Sequence, residues 1–157
     1  MQIQALTGNH NRQAFDSGCQ ELDNWLKRIA RQHQEKGLSK TFVATDAENA
    51  EIIFGYYALT LSEIDNAHLP ESRRKSLPRK IPGIRLGRLA VHKNHQGKKL
   101  GELLLVDALM RTRRIFNEAG GIGLFVDALD LHAVSYYSRF GFESTPDNPL
   151  MLFLPVN

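Results

Sequence analysis

Two clusters in this chain carry residue types and spacings that can do chemistry. In the first, Gln96, Gly97, Lys98, Lys99, Leu100 and Gly101 follow an apolar strand pattern and open an amphipathic helical one. The first N–H groups of a helix lack partners within it and face outward with the positive end of the helix dipole, so an anion is stabilised there. Glycine lets the backbone turn tightly and approach a phosphate, and lysine adds mobile positive charge. The segment reads as a phosphate cradle. In the second cluster, Tyr136 and Tyr137 sit eight and nine residues after Ala128, among apolar residues at helical spacing. A phenol with a pKa near 10 is protonated at neutral pH and can donate a proton to a stronger base. Read alone, the pair is better explained as packing residues on a short helix.

Other polar residues leave open readings. Asp130 can cap the helix that follows it or, with Asp127, orient a substrate. The chain has six histidines, but His92, His95 and His132 lack ligand partners at metal-binding spacing and read as surface residues. No metal is expected. Arg73, Arg74, Lys75, Arg79 and Lys80 form a basic stretch that serves as a solvated face or as a contact for RNA phosphates.

These residues need elements to hold them. Ser17 and Gln20 have the spacing of a capping box, and Leu22, Trp25, Leu26 and Ile29 fall on one face of a helix ending near Gly37. Residues 41–45 and 52–62 are rich in β-branched and aromatic side chains and flank a polar turn at 46–50, which predicts a hairpin. Pro70, Pro78 and Pro82 punctuate a surface excursion over 64–83 with one short helix. A strand over 84–91 follows, then a helix over 101–118 with Leu104, Ala108, Arg111 and Ile115 along one side. A strand over 122–128, a helix over 131–140 and β segments at 142–144 and 150–154 complete the chain. Alternating helices and strands without a repeat make an α/β domain, whose strand order periodicity leaves open.

Composition bounds the rest. The chain has 157 residues, about one domain, and at this size folding buries roughly 70% of the unfolded surface. A single domain over 1–157 is expected. Cys19 is the single cysteine and reads as a packing residue in a reducing compartment. No leader pattern and no apolar run of bilayer-spanning length is evident, so a soluble cytoplasmic protein without membrane contact is expected. The net charge of +3 is too small by itself to argue nucleic-acid binding.

Arg88, Leu89, Ala90 and Val91, followed by Gln96–Gly101, resemble the acyl-coenzyme A motif of the GNAT superfamily of N-acetyltransferases. The usual pattern there is arginine or glutamine, two residues, glycine, one residue, then glycine or alanine. Gln96 and Gly101 match, and Lys99 stands where the middle glycine falls. Residues 126–142 (VDALDLHAVSYYSRFGF) resemble the superfamily's last strand–helix–strand segment, with Tyr137 on its catalytic tyrosine. Residues 15–26 (FDSGCQELDNWL), 37–44 (GLSKTFVA) and 55–59 (GYYAL) and the basic insert at 70–82 resemble the GNAT toxins of bacterial toxin–antitoxin modules. The resemblance thus spans nearly the whole chain.

It implies a mixed, mostly antiparallel sheet flanked by helices and splayed open at the acetyl-CoA site. It implies that Leu89, Ala90 and Val91 hold the pantetheine arm and acetyl carbonyl by their backbone, with Val91 N–H as oxyanion donor. Residues 96–101 then surround the pyrophosphate, and Tyr137 is the general acid. It further implies acetylation of the α-amine of aminoacyl-tRNA, a block to translation, an antitoxin partner and a homodimer. Arg85 and Arg88 join the basic insert as candidate RNA contacts. An α-amine titrates near 8 against about 10.4 for lysine, so it reaches its nucleophilic form without a committed base. The alternatives are a protein or small-molecule amine as acceptor, and a coenzyme A-binding module with weak or no turnover.

Overall fold

The structure, a computed structural model, describes residues 1–156. Its strands are β1 (Gln2–Ala5), β2 (Lys40–Thr45), β3 (Ile53–Asp65), β4 (Lys80–Val91), β5 (Gly123–Asp127), β6 (Glu143–Ser144) and β7 (Met151–Pro155). Its helices are α1 (Gln20–Arg28), α2 (Ala30–Glu35), α3 (Glu71–Arg74), α4 (Leu100–Ala119) and α5 (Leu131–Ser138). Hydrogen-bonded neighbours follow the order β1-β2-β3-β4-β5-β7-β6. The β1–β2, β2–β3, β5–β7 and β6–β7 pairs are antiparallel and β4–β5 is parallel, the mixed sheet that was expected. The β4–β5 ladder ends at Leu86 and Val126, whereas β4 itself runs on to Val91. No helix among the described residues is long and apolar enough to cross a membrane.

Two compact units are formed, one from Met1–Thr60 with Gly87–Ala108, the other from Leu61–Leu86 with the residues from Leu109 onward. In the first, the predicted hairpin is present, with β2 and β3 in register from Lys40 opposite Leu59 to Thr45 opposite Ile53 and an irregularity at Ala44 and Thr45. Val43, Ile53, Tyr56 and Ala58 bury against Leu22, Trp25, Leu26 and Ala30. That apolar stripe, recurring every three to four residues, is what folds this segment as helix. Gln34 clamps the far end, donating from Nε2 to Leu6 O (2.7 Å) and accepting from Thr41 N–H (3.0 Å). Cys19 packs, half-buried, against this core.

Two expectations here are corrected. The predicted single helix breaks at Ile29, whose φ of −116° is outside the helical range, and Ile29 lies exposed. The N-cap of α1 is Cys19, without a side-chain cap bond, so the Ser17–Gln20 capping box is absent. Ser17 pairs instead with Asp23.

In the second unit, Ile64, Leu69, Ile81, Phe125, Met151 and Phe153 form the core. The excursion carries one short helix, α3, as expected, but is shorter than its prolines suggested. β3 runs to Asp65 and β4 begins at Lys80, so residues 80–83 are strand. Asn66 draws the base of the excursion together, its N–H donating to Arg79 O (2.7 Å) and its Nδ2 to Pro78 O (3.1 Å). Along α4 the buried positions are Leu100, Leu104, Leu105, Ala108 and Thr112; Ile115, expected on that side, is exposed. A period of 3.6 carries the buried stripe to position 112 rather than 111.

Candidate active site

The cradle is built in the first unit where β4 ends. His92 N–H donates to Phe54 O (2.8 Å), fixing the strand's last turnout, and His92 Nδ1 accepts from Asn94 N–H (3.1 Å). A 3-10 turn over Lys93–His95 follows, with the His95 ring stacked on Phe54 at 3.8 Å between centroids. His95 is held below the ordinary imidazole value, first by burial and then by the charge of Lys98. Neither ring is placed as a catalytic base by these contacts. Gly97 then takes φ +77° and Lys99 φ +65°. Lys99 therefore adopts the left-handed conformation that favours glycine. Leu103 N–H to Lys99 O (3.1 Å) is the first bond of α4. The amides just ahead of it lie outside the helical ladder, beside the exposed side chains of Lys98 and Lys99.

The loop is braced from the amino end. Gln96 Nε2 donates to Ser17 O (2.7 Å) and to Val91 O (2.9 Å). The Gln96 amide nitrogen is thus engaged within the protein, which leaves anion contacts in this loop to backbone N–H groups and the two lysines. Lys93 N–H donates to Asp16 O (2.8 Å), and Lys93 Nζ lies 2.9 Å from Asp16 Oδ2. The Asp16 carboxyl is held below its usual range by the Lys93 bond first and the Gly18 N–H second. Upstream, Ala90 is buried while Leu89 and Val91 are half-buried. A Cβ on Gly55 would stand 2.9 Å from Ala90 O and 2.9 Å from Leu104 Cδ1. Absence of a side chain at Gly55 therefore lets β3, β4 and the first turn of α4 close together.

Tyr137 lies in the second unit on α5. Asp130 caps that helix, accepting from Ala133 N–H at 2.9 Å, which decides between its two readings in favour of the cap. Tyr137 is 7% exposed, and its ring meets Tyr136 and Phe142 edge-on at 5.4 and 5.5 Å. Burial, and secondarily the neighbouring Tyr136, pushes its phenol well above 10. The group is a proton donor over the whole neutral range and a poor base.

The basic residues divide. Arg73 pairs with Glu143 (2.8 Å), Arg79 with Asp65 (3.2 Å) and Arg85 with Asp127 (2.5 Å). Arg74 Nε donates to Leu69 O (3.1 Å). Among the described residues Lys75, Lys80 and Arg88 have no such carboxylate. The Arg88 guanidinium lies 5.4 Å from the centre of the Trp25 ring, its Nη1 donates to Gly87 O (2.8 Å), and its buried Nε has no hydrogen-bond partner among the described residues. The Trp25–Arg88 stack and the Asp16–Lys93 and Ser17–Gln96 ties were not read from sequence. Asp16 and Ser17 beside Gly18 are a local turn signal, but nothing in the sequence points to their partners over seventy residues on.

The family model for the acetyltransferase (GNAT) domain matches residues 37–144. A tRNA-acetylating toxin of Mycobacterium tuberculosis (strain ATCC 25618 / H37Rv) is 35% identical over 141 residues, covering 90% of this chain and 83% of that protein. The structure of AtaT complexed with acetyl-methionyl-tRNAfMet matches at a TM-score of 0.91 and 29% identity, over 98% of this chain and 94% of the other. A mutant AtaT toxin bound to the C-terminus of the antitoxin AtaR and acetyl-CoA matches at 0.81 and 29%, over 98% and 92%. The chain belongs to the GNAT acetyltransferase family. The residues present fit coenzyme A, since two left-handed residues, exposed lysines and unladdered amides at the head of α4 are what an anion cradle for its pyrophosphate would require.

Proposed function

We propose that this protein is an acetyl-CoA-dependent toxin that acetylates the α-amine of aminoacyl-tRNA and so blocks translation. The observation that carries this reading is the match over nearly the whole chain to AtaT complexed with an acetylated aminoacyl-tRNA. Identity to a tRNA-acetylating toxin over 90% of the chain supports it.

Acetyl-CoA, when bound, supplies an activated acetyl thioester. Backbone groups of Leu89, Ala90 and Val91 hold the arm, and Val91 N–H donates to the carbonyl oxygen as negative charge develops there. Gln96 keeps the loop in place, while the amides and side chains of Gly97, Lys98, Lys99, Leu100 and Gly101 neutralise the pyrophosphate. Tyr137 holds its proton on Oη for the departing sulfur. The attacking amine sheds its own proton to water, since an α-amine needs no strong base at neutral pH. Lys75 and Lys80 are the cations available to RNA phosphates; Arg73, Arg74, Arg79, Arg85 and Arg88 contribute after exchanging their present partners.

In this reading residues 1–157 act as one catalytic domain, in the cytoplasm, as a homodimer held in check by an antitoxin. The test is transfer of labelled acetyl to a pool of charged tRNAs, with uncharged tRNA and free amino acids as controls. Label confined to charged tRNA supports the reading. Coenzyme A binding without transfer to charged tRNA replaces it with another amine acceptor or a binding module.

A further inference from the structure

The buried carboxylate of Asp23, 7% exposed on the first turn of α1, takes no part in the chemistry above. It accepts from Ser17 N–H at 3.0 and 3.2 Å and from Ser17 Oγ at 2.7 Å. Ser17 Oγ in turn accepts from Cys19 N–H (3.1 Å), so the serine is fixed at backbone and side chain together. Its carbonyl then receives Gln96 Nε2 at 2.7 Å, and the same nitrogen reaches Val91 O at 2.9 Å. One chain of hydrogen bonds therefore runs from Asp23 through Ser17 and Gln96 to the end of β4. Gln96 stands immediately before the turn in which Lys99 holds φ +65°. A non-glycine residue keeps that conformation only where its surroundings over-determine it. The second tie, Lys93 to Asp16, fixes the same loop to the same amino-terminal segment.

We propose that Asp23 is a positioning residue for the coenzyme A cradle, acting through Ser17 and Gln96. The carboxylate sets the Ser17 peptide, Ser17 sets the Gln96 amide, and Gln96 presents the turn at 97–99 and the amides behind it to the pyrophosphate. The proposal rests on residues 96–101 being that cradle. Linked hydrogen bonds of this kind act as a unit, so removing two of them costs little more than removing one.

The experiment is calorimetric titration of the full chain with coenzyme A for wild type, Asp23→Asn, Gln96→Met and the double variant, with circular dichroism to verify folding. Asp23→Asn is expected to weaken binding about fivefold, with the double variant within about twofold of Gln96→Met alone. Amide hydrogen exchange at 97–101 should quicken in each. Unchanged affinity in folded Asp23→Asn, or effects that multiply in full, overturns the proposal. Should Asp23→Asn not fold, Ser17→Ala decides: weakened binding restored by Ser17→Thr supports it, and wild-type binding by Ser17→Ala overturns it. Gly101→Asp tests the underlying assignment separately, because wild-type affinity in that variant removes the cradle and leaves the brace a purely structural device.

Discussion

Arg85 Nη1 lies 2.5 Å from Asp127 Oδ2, joining the parallel strands β4 and β5 one residue on either side of their last paired positions. The pair neutralises an arginine whose sequence context suggested an RNA contact. Its side chains are 29% and 44% exposed, where ion pairs are worth at most about 1 kcal/mol and partners exchange readily. Asp127→Asn should therefore release a cation at small cost in stability. Affinity for uncharged tRNA should rise, and the slope of log affinity against log salt should steepen by about 0.7–0.9. Filter binding across a salt series measures both, and an unchanged slope would remove Arg85 from the RNA surface.

Lys99 combines two opposed contributions, and the structure lets them be separated. A left-handed φ of +65° costs an L-residue about 1–2 kcal/mol, part of which a glycine's greater unfolded-state freedom offsets. Lys99→Gly is thus expected to raise the melting temperature of the ligand-free protein by a few degrees, about 2–4 °C per kcal/mol at this size. The same change removes a charge from the cradle and should weaken coenzyme A two- to fivefold, by roughly the worth of one exposed cation near a phosphate. Lys99→Ala keeps the strain and loses the charge, so it should show the second effect without the first. Equal affinities for all three proteins would refute the charged lip.

The strand–loop–helix that carries this turn was legible because its signals are local: an apolar run, glycines, lysines and a resumed helical period. The Asp130 cap was likewise visible as an acidic residue ahead of α5. What escaped the reading is non-local or lacks a breaker residue. Arg85 finds Asp127 across neighbouring strands and Arg73, on α3, finds Glu143 on β6, and no spacing announces such partners. The α1–α2 break falls at Ile29, without glycine or proline to mark it. Pro78 and Pro82 concealed the start of β4, since proline disfavours strand interiors. At Lys99 no glycine marks the turn, and the lysine itself holds φ +65° there.

Tyr137 yields two measurements of different kind. Tyr137→Phe deletes one oxygen from a well-packed ring, so acetyl transfer should fall about 10²–10⁴-fold while the fold persists. Wild-type turnover in the folded variant would exclude the phenol as acid. The second is titration. Burial raises the phenol values of both Tyr137 and Tyr56 above 10, so the folded state favours their neutral forms. That stability is fully present below the unfolded value near 10 and is lost as pH rises through the folded values. Of the four tyrosines, Tyr56 and Tyr137 should ionise only together with alkaline unfolding, seen as coincident changes in ultraviolet absorbance and circular dichroism. Smooth ionisation of all four before unfolding would contradict the burial of both rings.

Gly55 and Gly97 are both glycines of the first unit, yet their replacement by alanine should fail in different ways. At Gly55 the new methyl would sit 2.9 Å from Ala90 O and 2.9 Å from Leu104 Cδ1. Backbone and a buried leucine leave little room to give, so overpacking of about 1–3 kcal/mol is expected, and a melting temperature lower by roughly 2–12 °C. Because the clash displaces the carbonyl of Ala90 and the first turn of α4, coenzyme A affinity should fall in the same variant even where it remains folded. At Gly97 nothing stands within 4 Å of the added Cβ, and the cost comes from φ +77° alone. Gly97→Ala should then cost about 1–2 kcal/mol, and relaxation of the turn away from its left-handed shape should weaken coenzyme A more than it lowers the melting temperature. Thermal melts with and without coenzyme A distinguish the two. A larger loss of stability for Gly97→Ala than for Gly55→Ala would show that β3, β4 and α4 are not closed around Gly55 as the geometry requires.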